Sequence, residues 1–225
     1  MTTPSVRDRF DLRAAAPRLP ALIVGLVLFG VGIAMMVEAG LGLAPWEVLN
    51  QGVASRTGLE IGTVSIILGL PILALWWPLG ERPGIGTLLN VLLIGTATNV
   101  GIALLPTPAA DDVSVRLAFM AGGVGVIGVG SALYLAQDLG PGPRDGLMTG
   151  LHRRFGWSIR RARTALELTV LVVGWALGGT VGIGTVVFAL GIGPLVQAGL
   201  RVVDREGRVG RWRRASLEAD GVTGD

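Results

Sequence analysis

The sequence predicts an all-α fold: a polytopic membrane helical bundle, six transmembrane helices as two inverted three-helix repeats, each with a short amphipathic or re-entrant helix. Three observations predict it. First, 51% of the 225 residues are hydrophobic and only 16% are charged, with a mean hydropathy of +0.63. That is far more apolar than a soluble domain. Second, the apolar residues fall in uncharged runs at 21–37, 61–80, 83–110, 117–137 and 168–200. A bilayer crossing takes about 20 such residues. The last run holds most of two crossings, with Gly178-Gly179-Thr180-Val181-Gly182 as a break. Third, the chain repeats itself at an offset of 98 residues. Leu41-Gly42-Leu43-Ala44-Pro45-Trp46-Glu47-Val48-Leu49 returns as Leu139-Gly140-Pro141-Gly142-Pro143-Arg144-Asp145-Gly146-Leu147. Gly84-Ile85-Gly86-Thr87 returns as Gly182-Ile183-Gly184-Thr185. So long a period suits two fused halves better than a solenoid.

In chain order, residues 1–18 form an Arg-rich cytoplasmic leader, with Pro17 and Pro20 discouraging a helix that reaches back into it. Membrane repeat 1 covers 19–105 and membrane repeat 2 covers 117–203, with an inter-repeat loop at 106–116. The spans of repeat 1 are 21–38, 61–79 and 84–105, and those of repeat 2 are 117–137, 160–178 and 183–203. The first span is retained rather than cleaved: no small-residue cleavage site follows it, and its copy recurs internally. Gly25 and Gly32 share a face suited to close helix contact. Trp76 and Trp77 end the second span, where aromatic rings favour the headgroup level. Residues 204–225 form a basic cytoplasmic tail.

Orientation follows from the arginines. With the N-terminus in the cytoplasm, 17 of the 19 arginines fall on the inner side, and only Arg56 and Arg116 fall outside. This matches the positive-inside rule. Because each half has an odd number of spans, the second half must cross the bilayer in the opposite sense to the first. That is the inverted-repeat plan of many secondary transporters.

The two motif stretches carry the functional expectations. Pro45 and Pro143 suit the first position of a helix, where a missing N–H costs nothing. Glu47 and Asp145 then fall in the first turn, beside unpaired N–H groups and the positive end of the helix dipole. Gly58 and Gly156 end these helices. One reading lays each helix in the membrane interface. The other makes it re-entrant: the linker 39–44 extends about 20 Å, far enough to bring a helix N-terminus toward the bilayer centre. Substrate-binding candidates are Pro45, Glu47, Asn50, Pro143, Arg144, Asp145 and Thr149. Arg144 replaces Trp46 at the matching position and could pair with Asp145 or neutralise an acidic substrate.

Glu167 stands four residues after Arg163, where an ion pair along the helix is the simple reading and a coupling site for a proton or cation the functional one. Asn90, Asn99 and Gln197 read as hydrogen bonders between helices. The chain has no cysteine and a single histidine, His152, so no thiolate or multi-histidine metal site is expected. No nucleophile–base constellation marks an enzyme, no cofactor is expected, and the basic residues lack the aromatic-interleaved groove of a nucleic-acid surface.

The motif Leu-Gly-x-x-Pro-x-acid-x-Leu after spans 1 and 4, with Gly-Ile-Gly-Thr opening spans 3 and 6, resembles the YczE/YitT-type family of bacterial integral membrane proteins over about residues 20–203. Leu139–Gly150 is the more typical copy. The resemblance implies a multi-pass plasma-membrane protein of poorly defined biochemical role, often described as a transporter, and it supplies no substrate and no agreed catalytic residue. The leading expectation is a small secondary transporter or exporter with a site between the halves, moving a small molecule or ion. The alternative is a non-transporting accessory protein that modulates a partner through its Arg-rich cytoplasmic face. The lipid bilayer is the expected partner, with a homodimer as a further possibility.

Overall fold

The computed structural model describes residues 12–81 and 83–204. The arginines of residues 1–11, Arg82 and the basic tail 205–225 lie outside the described residues. Among the described residues the chain is all-helical: α1 (Leu12–Ala15), α2 (Leu19–Ala39), α3 (Pro45–Thr57), α4 (Ile61–Leu79), α5 (Ile85–Leu104), α6 (Val113–Leu135), α7 (Pro143–Phe155), α8 (Ile159–Ala176) and α9 (Ile183–Val203). Five of these, α2, α4, α5, α6 and α9, are long and apolar enough to cross a membrane. The remaining expected span, the fifth in chain order, is α8, an 18-residue helix. Its first half carries Arg160, Arg161, Arg163 and Glu167, so it falls short of the apolarity of the other five.

Local chemistry sets the ends. Ala44 and Gly142 are extended, and the prolines that follow open α3 and α7 at their fixed φ. Gly58 and Gly156 close the same helices in the left-handed region, with φ of 73° and 67°. The α6 helix starts at Val113, four residues before the expected start, because the Asp112 carboxylate accepts the N–H of Val115 and caps it. That places Arg116 inside α6. Its guanidinium donates to the carbonyls of Ala39, Gly40 and Ala110, tying the end of α2 to the loop.

The core lies between α2 and α6. Gly25 meets Gly130 and Gly32 meets Gly123, so the two helices run antiparallel. A Cβ at Gly25 would stand 2.8 Å from the Gly130 carbonyl oxygen. Only small residues allow backbones to approach so closely. Leu22, Leu26, Ile33, Met36, Val124 and Ile127 fill the surrounding core. The α5 helix packs on the outer side of α2 and α9 on that of α6. The motif helices then dock on the opposite halves: α3 packs against α8, and α7 against α4. The loops before them do the same. Gly86 N–H donates to the Leu139 carbonyl at 2.8 Å, and Gly184 N–H donates to the Leu41 carbonyl at 2.8 Å. Each of these two bonds is the other shifted by 98 residues in the sequence.

Trp76 departs from the sequence expectation. It faces the protein interior rather than a lipid surface: it is 1% exposed, its ring seated in the notch left by Gly146 and its indole N–H donating to the Pro143 carbonyl at 3.0 Å. Trp77 beside it is 89% exposed. On the α3–α8 side the bulk is exchanged: Gly174 takes the place of Trp76, and Val48 takes that of Gly146.

Candidate functional site

The first turns of α3 and α7 meet. Arg144 Nη2 donates to Glu47 Oε1 at 2.6 Å, and Nη1 reaches Oε2 at 3.4 Å. The Glu47 side chain is 4% exposed and that of Arg144 29%. The guanidinium carbon stands 4.9 Å from the centroid of the Trp46 ring, the geometry of a cation–π contact. Trp46 and Arg144 are 98 residues apart, so two matching positions stack on each other. Beneath them Trp46, Leu147 and Val170 form a small apolar cluster with Leu49 and Ile72 packed against it. The matched positions Leu49 with Leu147, and Ile72 with Val170, again differ by 98.

Arg144 therefore pairs with the acid of the other motif, not with its neighbour Asp145. Successive residues on a helix point about 100° apart, so the carboxylate next along the chain faces elsewhere. Asp145 instead accepts a hydrogen bond from the Tyr134 hydroxyl of α6 at 3.3 Å and lies within electrostatic reach of Arg144 and of Arg163 on α8, without a contact ion pair to either among the described residues. Its side chain is exposed, whereas its counterpart Glu47 is 3% exposed.

Asn50 is buried one turn after Glu47, and both line a narrow crevice with Ile33, Ser65 and Thr98. The crevice is too narrow to seat a water molecule. The Trp46 indole N–H is the one buried side-chain polar group without a hydrogen-bond partner among the described residues. A buried donor left unmade costs free energy, so such a group is commonly matched by water or a ligand.

The structure thus gathers Pro45, Glu47, Asn50, Pro143, Arg144 and Asp145 around the meeting point of the two helix N-termini. Thr149 sits apart: its hydroxyl donates to Glu81 at 2.7 Å, in a cluster where Arg153 also pairs with Glu81 at 2.8 Å. Those bonds fasten α7 to the turn after α4. Glu167 pairs with Arg163 at 2.8 Å, as the simple reading expects. Asn99 binds between helices, accepting from Gly62 N–H at 2.7 Å and donating to Glu60 and Thr63. Sequence reasoning missed Tyr134 as the partner of Asp145. It is the only tyrosine in the chain and sits near the end of a long, mostly apolar helix, which is the one signal that could have found it.

These helix starts present backbone N–H groups and the guanidinium–carboxylate pair Arg144–Glu47, with Asp145 on the adjoining face of α7. Such a set can hold a small polar or charged solute and can exchange ion-pair partners on binding.

The family of unknown function DUF6198 matches residues 16–200. An uncharacterized protein of Haemophilus influenzae is 42% identical over 184 residues, which is 82% of this chain and 84% of that one. The uncharacterized membrane protein YczE of Bacillus subtilis is 34% identical over 179 residues, covering 78% of this chain and 82% of its own length. The uncharacterized protein YyaS of the same organism is 23% identical over 184 residues, 81% of this chain and 92% of that one. No solved structure matches. With most of its length covered by the family and by relatives of this similarity, the chain belongs to the DUF6198 family of YczE-type membrane proteins.

Proposed function

We propose that the protein is a small secondary transporter of the bacterial plasma membrane. It has six spans in two inverted halves and a single solute site where α3 and α7 meet. In this reading α8 is the fifth span, its arginines at the cytoplasmic surface, and both termini are cytoplasmic. The observation that carries the proposal is the Arg144–Glu47 pair across the starts of the two motif helices. Matched elements of the two halves meet there, joined through side chains of their first turns. The antiparallel packing of α2 on α6 and the reciprocal docking of Leu41 and Leu139 support the inverted arrangement. Helix starts brought together inside a bundle are what re-entrant half-helices supply in transporters with broken helices, and the Arg144–Glu47 pair supports that reading here. The partnerless Trp46 indole N–H provides a donor for a solute acceptor, and Asp145 an acid not engaged in an ion pair.

Two experiments test it. Because the chain has no cysteine, single cysteines introduced near Asp111 and Arg154 report sidedness directly. The first should label from outside the cell and the second only from the cytoplasm. Labelling from one side overturns the inverted plan. For transport, protein reconstituted into liposomes is offered a panel of metabolites and ions. At least one solute should move, and Asp145→Asn should slow it by about tenfold or more, the equivalent of one lost charge-assisted contact. If nothing moves, and Asp145→Asn leaves every cellular phenotype intact while removal of residues 207–225 abolishes it, partner binding replaces transport.

A further inference from the structure

The two halves are matched in sequence but not in packing, and the difference lies in one seam. In the first half α4 and α5 are closed on each other. Gly62 crosses Gly95 so tightly that a Cβ at Gly62 would stand 2.0 Å from the Gly95 carbonyl oxygen. Gly69 receives Val91, and Asn99 latches the seam by its bonds to Gly62, Glu60 and Thr63. In the second half α8 and α9 form no equivalent seam. Gly193, the counterpart of Gly95, has nothing within 4 Å of its Cβ direction. Gln197, the counterpart of Asn99, is exposed, and so are Arg160 and Thr164, which match Gly62 and Ile66. The two motif acids differ as well: Glu47 is 3% exposed, whereas Asp145, set among Tyr134 of α6 and Arg163 of α8, keeps accessible surface.

We infer that the solute site is entered from one side at a time: the α8–α9 gap is its open, cytoplasmic entrance, the α4–α5 seam its closed, outer one, and the two exchange states during the cycle. This rests on the transporter reading and on the orientation given above. The polar face of α8 supports it independently. Arg160, Thr164 and Glu167, spaced i, i+4 and i+7, occupy the positions that meet α5 in the other half. Groups of this kind are expensive against lipid and favour a wet cleft or a facing helix. Two packings of one duplicated helix pair within one chain give the two discrete arrangements that a switching element needs.

Double-cysteine cross-linking in native membranes tests it. A Cβ at Gly69 would stand 3.7 Å from the Cβ of Val91, inside the range for a disulfide. The matched pair across the gap is Glu167 and Ala189. Gly69→Cys with Val91→Cys should oxidise readily, and Glu167→Cys with Ala189→Cys should not. Adding Asn99→Ala removes the latch without adding bulk. It should slow the first pair and raise cross-linking of the second by about tenfold or more, the shift expected when three hydrogen bonds of the latch are lost and partly replaced by water. Gly95→Leu, which wedges the seam directly, should act in the same direction. The inference is overturned if the second pair oxidises as fast as the first in the parent protein. It is also overturned if opening the first seam leaves the second unchanged. Those outcomes leave the solute site standing, since its own test is the effect of Asp145→Asn on transport.

Discussion

Replacing Arg144 by alanine strands the Glu47 carboxylate, whose side chain is only 4% exposed. Removing one partner of a buried pair typically costs about 3–5 kcal/mol, because the remaining charge keeps its desolvation penalty without its compensation. Arg144 is 29% exposed at its side chain, so water already screens part of the interaction and reaches part of the vacated space. The expected loss for Arg144→Ala is therefore about 2–4 kcal/mol, the cation–π contact with Trp46 included. Glu47→Ala should cost less, about 1–2 kcal/mol, because the half-open guanidinium can turn to solvent. The double variant should be far less destabilised than the sum of the two, with a coupling of roughly 2 kcal/mol. Thermal and denaturant unfolding in mild detergent, followed by tryptophan fluorescence, gives all three numbers. A coupling within about 0.5 kcal/mol of zero would refute the reasoning, since the two helix starts would then not depend on each other.

Three further outcomes are expected. Gly146→Ala drives a methyl to within 2.1 Å of the Trp76 ring and should destabilise by about 1–3 kcal/mol, with Trp76→Leu in the same chain recovering much of the loss. Gly58→Ala meets no atom within 4 Å but holds φ at 73°, so its cost should be about 1–2 kcal/mol, from backbone strain alone and untouched by any neighbouring substitution. Asp112, in the loop before α6, has its pKa lowered first by the Val115 N–H it accepts and then by Ser114. A depressed carboxylate contributes stability that is complete above the ordinary aspartate range and is lost as pH falls through its lower folded value. Acid titration of unfolding should show that loss in the parent protein and a weaker one in Asp112→Asn.

Much of the fold was legible because membrane insertion is governed by one-dimensional rules. Apolar run length sets a span, and Pro45, Pro143, Gly58 and Gly156 mark helix ends through the backbone of a single residue. Gly25 and Gly32 announced a close helix contact because nothing but small residues permits one, though their partners Gly130 and Gly123 came only with the fold. The weaker readings share a cause. Trp76 looked like a headgroup anchor beside Trp77, yet the two point about 100° apart on α4, and one faces the hollow over Gly146. Arg144 looked like a partner for Asp145, its neighbour in the chain, when the acid it reaches lies 97 residues away.

The sequence by itself determined the membrane class, the helix boundaries to within a few residues, the duplication and the two Pro-acid motifs at its centre. Each of these is written in composition, period or local backbone preference. Only the tertiary structure decided which carboxylate Arg144 takes, that Tyr134 serves Asp145, that Thr149 belongs with Glu81, and that α4 closes on α5 while α8 stands off from α9. The physical reason is that side-chain pairing and helix packing depend on distances between segments far apart in the chain. A repeat also assigns equal positions to both halves, but it cannot assign them equal neighbours once glycine on one side is replaced by tryptophan or arginine on the other.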